Sequence, residues 1–310
     1  MICMRKAVKG YLKLRRSLGY KLRDHEVGLT NFVSFLERKR ARHITTAIAL
    51  KWATQHRGQK PAEWAKRLRF VRGFAQYFSA IDRSTEIPPP DTLPYRPSRA
   101  HPYLYSDQEI LRLLKAATQI PSRNGLRPWT YYCLFGLLAV TGMRISEVLS
   151  LKCRDVDLAA GLLTIRHTKF GKSRLVPMHP STRQTLVAYA HRRDCLFPAV
   201  GNSSFLVSDY GRPLEASAVR RIFYRLSRLI GLRGQSASHG PRLHDFRHRF
   251  AVEALLNWYH RGEDVERRLP ILSTYLGHAH VTDTYWYLSA CPELMNLATQ
   301  RLEKRWEGWS

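Results

Sequence analysis

Apolar residues recur every three or four positions through residues 1 to about 82, which is the spacing of amphipathic helices. Four helical segments follow from this spacing. In the third, Ala47 to Gln55, Thr46 precedes the first turn and is predicted to cap it by accepting a backbone N–H. The fourth begins at Pro61, because a proline in the first turn removes only a donor that has no partner there. The pattern predicts a helical unit over residues 1–84.

A proline-rich stretch ends this pattern. Residues 84–102 contain six prolines and few large apolar residues. Proline fixes φ and removes a backbone donor, so this stretch is predicted to be an extended, semi-stiff connector. We place the domain boundary here, with a linker at residues 85–102 and a second domain at residues 103–310.

The second domain begins with helical patterns. Ser106 is predicted to cap a helix from Gln108 to Thr118. The apolar segment Trp129 to Val140 is too short to span a bilayer and is predicted to be a buried helix. Gly142 suits the chain reversal after this helix, which places Arg144 at or near the start of the next one.

Between Asp155 and Pro177 the pattern changes from helix to strand. Leu162–Ile165 and Leu175–Val176 are short β-favouring runs on either side of the polar segment Thr168 to Arg174, which is typical of a hairpin. Helical spacing then returns and continues to the last amphipathic segment, residues 292–306. The predicted fold is mainly α, with a small antiparallel β-sheet in the second domain.

The charge narrows the class of partner. Lys and Arg number 51 against 24 Asp and Glu, a net charge of +27. A cationic surface of this size most often serves nucleic acid, by neutralising phosphates. A basic protein without such a role, or one that binds an anionic membrane, is the alternative. The candidate DNA contacts lie on the polar face of the fourth helix, in the linker and in the hairpin: Arg67, Arg69, Arg72, Arg96, Arg99, Lys172 and Arg174.

The cysteines and the N-terminus indicate a compartment. The five cysteines are scattered and form no C-x-x-C pair, which argues against a disulfide scaffold or a zinc site and fits a reducing environment. The N-terminal segment lacks the apolar core of a signal peptide. We predict a cytoplasmic, nucleoid-associated protein with no membrane partner.

The residues best suited to chemistry lie near the end of the second domain. His244 and Arg247 are three positions apart in a segment of helical spacing, so both side chains leave the same face. Leu276-Gly277-His278 follows, and Tyr287 lies nine residues after that histidine. A phenol whose proton is removed can attack a phosphodiester. Arginine suits the charge of the reacting phosphate, because it stays protonated and engages two oxygens.

Two residues earlier in the chain complete this set. Arg144 offers a second guanidinium, and Lys169, in the predicted hairpin, offers an acid for the leaving 5′ oxygen. Each residue alone has a structural interpretation: a surface arginine, a capping histidine, a core tyrosine. The functional interpretation depends on their joint occurrence in a basic chain.

Their order and local sequence resemble those of the tyrosine recombinases, or phage-type integrases, over nearly the full length of the chain. The segments that carry the resemblance are TGMRISEVLSL, the hairpin lysine, LHDFRHRFA and LGHAHVTDTYWYL. The resemblance implies a helical, SAM-like core-binding domain before the linker, a catalytic domain after it and a last helix, at about 292–306, that contacts a neighbouring subunit. It also implies that Glu147 braces the active-site arginines and that six residues are catalytic: Arg144, Lys169, His244, Arg247, His278 and Tyr287.

The resemblance further implies a reaction. Tyr287 would attack a scissile phosphate, form a 3′-phosphotyrosyl bond and release a 5′-hydroxyl, with neither metal nor cofactor. The implied partners are double-stranded DNA with inverted-repeat core sites and a homotetramer, and an accessory DNA-binding protein is left open. Integration, excision, transposition and resolution share this chemistry. The ending TYWYLSACPEL looks more like the mobile-element branch.

Rival interpretations remain at this stage. A type IB topoisomerase, an inactive accessory DNA-binding protein and a basic repair nuclease are all compatible with the charge. The closing block favours a recombinase over a topoisomerase, and the complete set of six residues counts against an inactive protein. The nine-residue step from His278 favours Tyr287 over Tyr285 as the nucleophile. His248 and His280 are interpreted as structural or as phosphate contacts.

Overall fold

The structure is a computed structural model of the chain, and it describes residues 4–56, 58, 60–93, 101–166, 173–198, 203–278, 280–289 and 292–307. The chain divides into two compact units, Met1–Ala100 and His101–Ser310, called below the N-terminal unit and the C-terminal unit. Within the described ranges, we find no helix with the length and apolar character needed to cross a membrane.

The N-terminal unit contains the four helices that the spacing predicts. They are α1 (Met4–Ser17), α2 (Arg23–Arg38), α3 (Thr46–Thr54) and α4 (Pro61–Phe78). Their apolar faces meet in one core, in which Trp52, Phe32 and Phe74 are among the largest fully buried side chains. The rings of Phe32 and Trp52 meet edge to face with centroids 5.1 Å apart, a geometry that adds to the gain from burial.

Helix starts in this unit follow local chemistry. Pro61 occupies the first turn of α4, as predicted. The cap of α3 differs from the prediction by one residue, because Thr45 rather than Thr46 is extended and accepts the Ile48 N–H at 3.2 Å. Thr46 is already helical, and its N–H donates to Glu86 Oε2 at 2.7 Å. Thr45 and Thr46 offer the same hydroxyl, so local chemistry does not distinguish them as caps. The Glu86 carboxylate, distant in sequence, binds the Thr46 N–H and leaves Thr45 as the cap.

The first part of the predicted linker packs against the N-terminal unit. The Glu86 N–H donates to Ile44 O at 2.8 Å, Thr85 is buried and Leu93 packs against the core. Part of the predicted linker therefore contacts the N-terminal unit, at Thr85, Glu86 and Leu93. These contacts involve residues distant in sequence, so proline content alone does not predict them.

The C-terminal unit is mainly helical and is built around one buried helix, α6. In chain order its helices are α5 (Asp107–Ala117), α6 (Leu126–Thr141), α7 (Ile145–Ser150), α8 (Pro180–Leu196), α9 (Ala216–Leu229), α10 (Asp245–His260), α11 (Val265–Leu276), α12 (Thr282–Tyr285) and α13 (Pro292–Glu307). The start of α5 confirms its predicted cap: Ser106 Oγ accepts the Glu109 N–H at 3.2 Å, and Glu109 accepts the Ser106 N–H at 2.8 Å. The burial of α6 is also as predicted.

A three-stranded antiparallel sheet carries the predicted hairpin. Its strands are β1 (Val156–Asp157), β2 (Leu162–Ile165) and β3 (Arg174–Pro177), in that order. Leu163 pairs with Val176, and both are fully buried. β1 is only two residues long, which is too short for an alternating pattern to predict. The segment 167–172 between β2 and β3 lies outside the described residues.

A separate cluster of buried residues joins α10, α11 and α13. It contains Leu255 from α10, Leu276 from α11, Leu294 from α13 and Tyr287 from a 3₁₀ helix, Trp286–Ser289. The segment in which the sequence predicts most of the chemistry is therefore packed on its own small core.

Candidate active site

A glycine turn places Arg144. Gly142 ends α6 with φ 60°, a conformation that favours glycine, and a Cβ there would lie 2.6 Å from Phe250 Cδ1. The reversal makes Arg144 the residue that begins α7. Its Nη1 donates to Glu147 Oε1 at 2.9 Å, and its Nη2 donates to Gly277 O at 3.1 Å.

Arg247 is held by two backbone carbonyls, one of them in the Leu276–Gly277 turn that also binds Arg144. It lies in the first turn of α10 and is 1% exposed. Its Nη1 donates to Gly142 O at 3.0 Å, and its Nη2 donates to Leu276 O at 2.5 Å. Burial, reinforced by Arg144, lowers the pKa of Arg247 to about 10, so the guanidinium is still charged at neutral pH. Two guanidiniums are thus fixed beside the Leu276–Gly277 turn.

Glu147 is a buried carboxylate that binds two arginines. It contacts Arg144 as described and accepts from Arg174 Nη2 at 2.7 Å and Nη1 at 3.1 Å. Burial by itself raises the pKa of this carboxyl, but the hydrogen bonds and charge of Arg174, with those of Arg144, lower the pKa overall. The expected bracing acid is therefore placed to orient Arg144.

Arg174 is more buried than the hairpin pattern predicts. The hairpin pattern predicts an exposed DNA contact, but the side chain is only 10% exposed and both Nη atoms bind Glu147. Its Nη1 lies 2.9 Å from the position a Cβ would take on Gly277, which has φ 67°. A hairpin pattern does not show that β3 begins beside the turn after α11, so it cannot predict this burial.

His244 lies where α10 begins and remains in contact with solvent. Its ring meets that of His248 edge to face, with centroids 4.7 Å apart. Loss of hydration, followed by the charge of Arg247, lowers the pKa of His244. This ring is therefore neutral near pH 7 and able to accept a proton.

His278 follows the Leu276–Gly277 turn. Its Nδ1 lies 2.7 Å from Thr284 Oγ1. Burial, followed by the charges of Arg247 and Arg144, lowers the pKa of His278 to about 4. It too is neutral at pH 7.

The two candidate nucleophiles lie in different environments. Tyr287 is 3% exposed, and its ring centroid lies 6.1 Å from that of His278 and 5.5 Å from that of His248. Tyr285 is 51% exposed and belongs to no buried cluster of the described residues. The structure therefore gathers Tyr287, and not Tyr285, with the histidines.

The remaining predicted DNA contacts divide into two groups. On α4, Arg67 donates to Trp52 O at 2.9 Å and Arg72 donates to Pro88 O, whereas Arg69 is exposed. The bonds of Arg67 and Arg72 hold the N-terminal unit together. The other three predicted contacts, Arg96, Arg99 and Lys172, lie outside the described residues, and so does Lys169, the predicted acid.

Sequence analysis missed one residue at this site and left another undecided. Thr284 is fully buried and contacts His278, but a threonine just before Tyr285 carries no distinctive pattern. His248 lies four positions after His244 on the same helix face, which was a usable signal. Burial, followed by His244, lowers the pKa of His248 to about 4.

The site combines fixed positive charge with neutral proton carriers. Arg144, Arg174 and Arg247 bring three positive charges to the site and Glu147 offsets one of them, so the local charge favours an anion such as a phosphate diester. In the part of the chain that the structure describes, no group of three His, Cys, Asp or Glu side chains is arranged to hold a metal ion. The arrangement is suited to binding a phosphate and moving a proton.

Comparison with known proteins gives consistent matches. Residues 104–293 match the model of the phage integrase family. The Sinorhizobium fredii (strain NBRC 101917 / NGR234) protein y4rB, named as an integrase/recombinase, is 55% identical over 311 residues, covering 99% of both chains.

Two solved structures share the fold. The Tn1549 transposon integrase in complex with transposon right end DNA covers 96% of this chain and 98% of its own, with 18% identity and a TM-score of 0.66. A lambda integrase tetramer bound to a Holliday junction covers 91% and 79%, with 20% identity and a TM-score of 0.58. With the family match over most of the C-terminal unit and a full-length relative at 55% identity, the chain belongs to the phage integrase family of tyrosine recombinases.

Proposed function

We propose that this chain is a site-specific DNA recombinase that cuts and rejoins DNA through a covalent bond to Tyr287. One observation carries the proposal: residues from separate parts of the C-terminal unit meet around the Leu276–Gly277 turn. They are Arg144 and Arg247, which bind its carbonyls, and His278 and Tyr287, which lie beside each other after it.

The reaction follows from these groups. Arg144 and Arg247 bind the non-bridging oxygens of the scissile phosphate and stabilise the charge of the transition state. The Tyr287 oxygen forms a bond to phosphorus as the bond from phosphorus to the 5′ oxygen breaks, which leaves a 3′-phosphotyrosyl link. The phenol proton passes to a neutral histidine, and we propose His244, because its lowered pKa leaves the ring unprotonated before the reaction. Lys169 protonates the leaving oxygen.

Glu147 supports this chemistry indirectly. As a carboxylate it holds Arg144 through both a side-chain and a backbone hydrogen bond, at 2.9 and 3.0 Å. A fixed guanidinium stabilises a transition state without the cost of reorganising as the charge develops. No metal or cofactor takes part in this scheme.

We propose that both units bind double-stranded DNA. The net charge of +27, the exposed Arg69 and the DNA complex of the structurally similar Tn1549 integrase support this. The same neighbour is a transposon integrase, which supports a role in a mobile element. We propose inverted-repeat core sites as the substrate. Arg96, Arg99 and Lys172 are proposed as further phosphate contacts.

We also propose assembly into a tetramer through α13. This helix buries Leu294 in its own unit but leaves Met295, Leu302 and Trp306 about half exposed or more. Exposed apolar side chains on one terminal helix indicate a contact with another protein surface. The lambda integrase tetramer on a Holliday junction supports a second copy of the chain as that partner.

A covalent trapping assay tests the reaction. Nicked suicide duplexes from the DNA flanking the gene are incubated with the wild type, Tyr287→Phe and Tyr285→Phe, without added metal, and resolved on a denaturing gel. We expect a slow-migrating protein–DNA adduct that is lost only in Tyr287→Phe. Loss only in Tyr285→Phe would reassign the nucleophile, and specific binding without any adduct would favour an inactive DNA-binding protein.

A further inference from the structure

A buried hydroxyl contacts one of the two active-site histidines. Thr284 is fully buried on α12, and its Oγ1 lies 2.7 Å from Nδ1 of His278. This is the hydroxyl's one hydrogen bond to the described residues. The distance fixes a hydrogen bond but does not say which atom donates.

The need to pair the buried hydrogen of the Thr284 hydroxyl decides which atom donates in this hydrogen bond. A threonine hydroxyl has one hydrogen to donate, and a buried donor without an acceptor is destabilising. If Nδ1 carried a proton and donated it to Thr284, the hydroxyl hydrogen would have no acceptor among the described residues. If the hydroxyl donates to an unprotonated Nδ1, its hydrogen is satisfied.

This direction sets the tautomer of the ring. A neutral imidazole carries one proton, so an accepting Nδ1 requires the proton on Nε2. We infer that Thr284 is a positioning residue that holds His278 as the Nε2-protonated tautomer, with Nε2–H as a hydrogen-bond donor to the scissile phosphate. The Nε2 atom makes no hydrogen bond to a described residue in the structure, so it is available to a ligand.

The surrounding charges oppose a second proton on this ring. Burial has the largest effect, and the charges of Arg247 and Arg144 add to it, so the imidazole is neutral at pH 7. A protonated ring would also donate from Nδ1 and so leave the Thr284 hydroxyl unpaired. Both effects favour a neutral donor, which gives His278 a role distinct from that of a general base.

The inference rests on the proposed function in one respect, namely that a phosphate diester is the ligand of Nε2–H. A donor at this place is a third hydrogen-bonding group for the phosphate, besides Arg144 and Arg247. A switch of tautomer would present a lone pair on Nε2 instead and repel a phosphate oxygen.

Nitrogen NMR of the full chain tests the tautomer directly. Histidine-labelled protein gives a pattern of correlations between ring protons and ring nitrogens that differs for the two tautomers. The His278 signal is assigned by its loss in His278→Gln. We expect the Nε2-protonated pattern in the wild type and in Thr284→Ser, which keeps the hydroxyl, and a mixed or Nδ1-protonated pattern in Thr284→Val, which keeps the shape.

Adduct formation on the suicide duplex then tests the consequence. We expect Thr284→Val to form the adduct about tenfold more slowly, as expected for one lost hydrogen bond, with Thr284→Ser close to wild type and both variants melting near the wild-type temperature. An Nδ1-protonated His278 in the wild type, or an unchanged pattern in Thr284→Val, would overturn the inference. The expected NMR patterns without any adduct would refute the proposed function while leaving the tautomer assignment standing.

Discussion

Arg247 shows at the scale of one residue why an arginine is needed at this position. Its two Nη atoms donate to carbonyls on different segments, Gly142 O and Leu276 O, and the residue is 1% exposed. The planar guanidinium reaches both carbonyls from one fixed position. A lysine ammonium is a point charge on a flexible chain and cannot reproduce this geometry.

We therefore predict that Arg247→Lys slows adduct formation about a hundredfold, the usual cost of losing one fixed donor to a transition state. The measurement is the single-turnover rate on the suicide duplex, with the melting temperature as a check on folding. Arg112→Lys, on the exposed face of α5, is the matched control and should retain the wild-type rate. An equal rate in Arg247→Lys would show that this guanidinium does not contact the phosphate.

At the scale of elements, the turn between α11 and His278 joins the site to β3. Gly277 has φ 67°, and a Cβ would lie 2.9 Å from Arg174 Nη1. Arg174 in turn binds Glu147, which holds Arg144. The first residue of β3 is thereby connected to the arginine that begins α7.

Two glycines with the same φ allow this connection to be tested. Gly262 also has φ 67°, but a Cβ there would meet no atom within 4 Å. We predict that Gly262→Ala costs about 1 kcal/mol of stability for its backbone conformation alone and that Gly277→Ala costs about 2 to 3 kcal/mol. Urea denaturation gives both values, and only Gly277→Ala should also slow adduct formation. Equal losses of stability in the two variants would mean that the Arg174 side chain moves away from the added Cβ at no cost.

Sequence predicts these elements well and their contacts less well. The helices, the hairpin, the cap at Ser106 and the first-turn position of Pro61 depend on local spacing and local chemistry, which a single sequence displays. The choice of Thr45 over Thr46 and the burial of Arg174 depend on groups distant along the chain. For the same reason the contact between Thr284 and His278 became visible only in the fold.

At the scale of the whole molecule, two half-buried histidines link stability to pH. His248 and His278 both have a pKa of about 4 in the folded chain, against an ordinary value of 6.5. The unfolded chain takes up these protons as the pH falls below about 6.5, whereas the folded chain does not until about 4. Unfolding therefore takes up protons in this range, and stability falls as the pH falls.

We predict that the free energy of unfolding, measured in urea, decreases from pH 6.5 to pH 4. His248→Gln removes one of the two groups, so its stability should depend less steeply on pH across this range. Comparing the two slopes removes the contribution of the carboxyl groups, which the variant shares with the wild type. Parallel slopes would show that His248 titrates normally in the folded chain.

The net charge leads to a prediction about DNA affinity. Because binding to phosphates releases counterions, we expect the affinity for a duplex to fall by about 10³ or more between 50 and 200 mM salt. Addition of EDTA should leave both affinity and adduct formation unchanged, since the proposed reaction uses only side chains. Fluorescence anisotropy with a labelled duplex measures the affinity, and the trapping gel measures adduct formation. A weak salt dependence would count against an extended phosphate-binding surface.

The central claim is that the Tyr287 oxygen becomes covalently bound to a 3′ phosphate. The most direct measurement is tandem mass spectrometry of the DNA-linked peptide, after nuclease and protease digestion of the trapped adduct. We predict that the nucleotide remnant is found on Tyr287 and that the released strand carries a 5′-hydroxyl. A remnant on Tyr285, or a link through a 5′ phosphate, would contradict the account of this site.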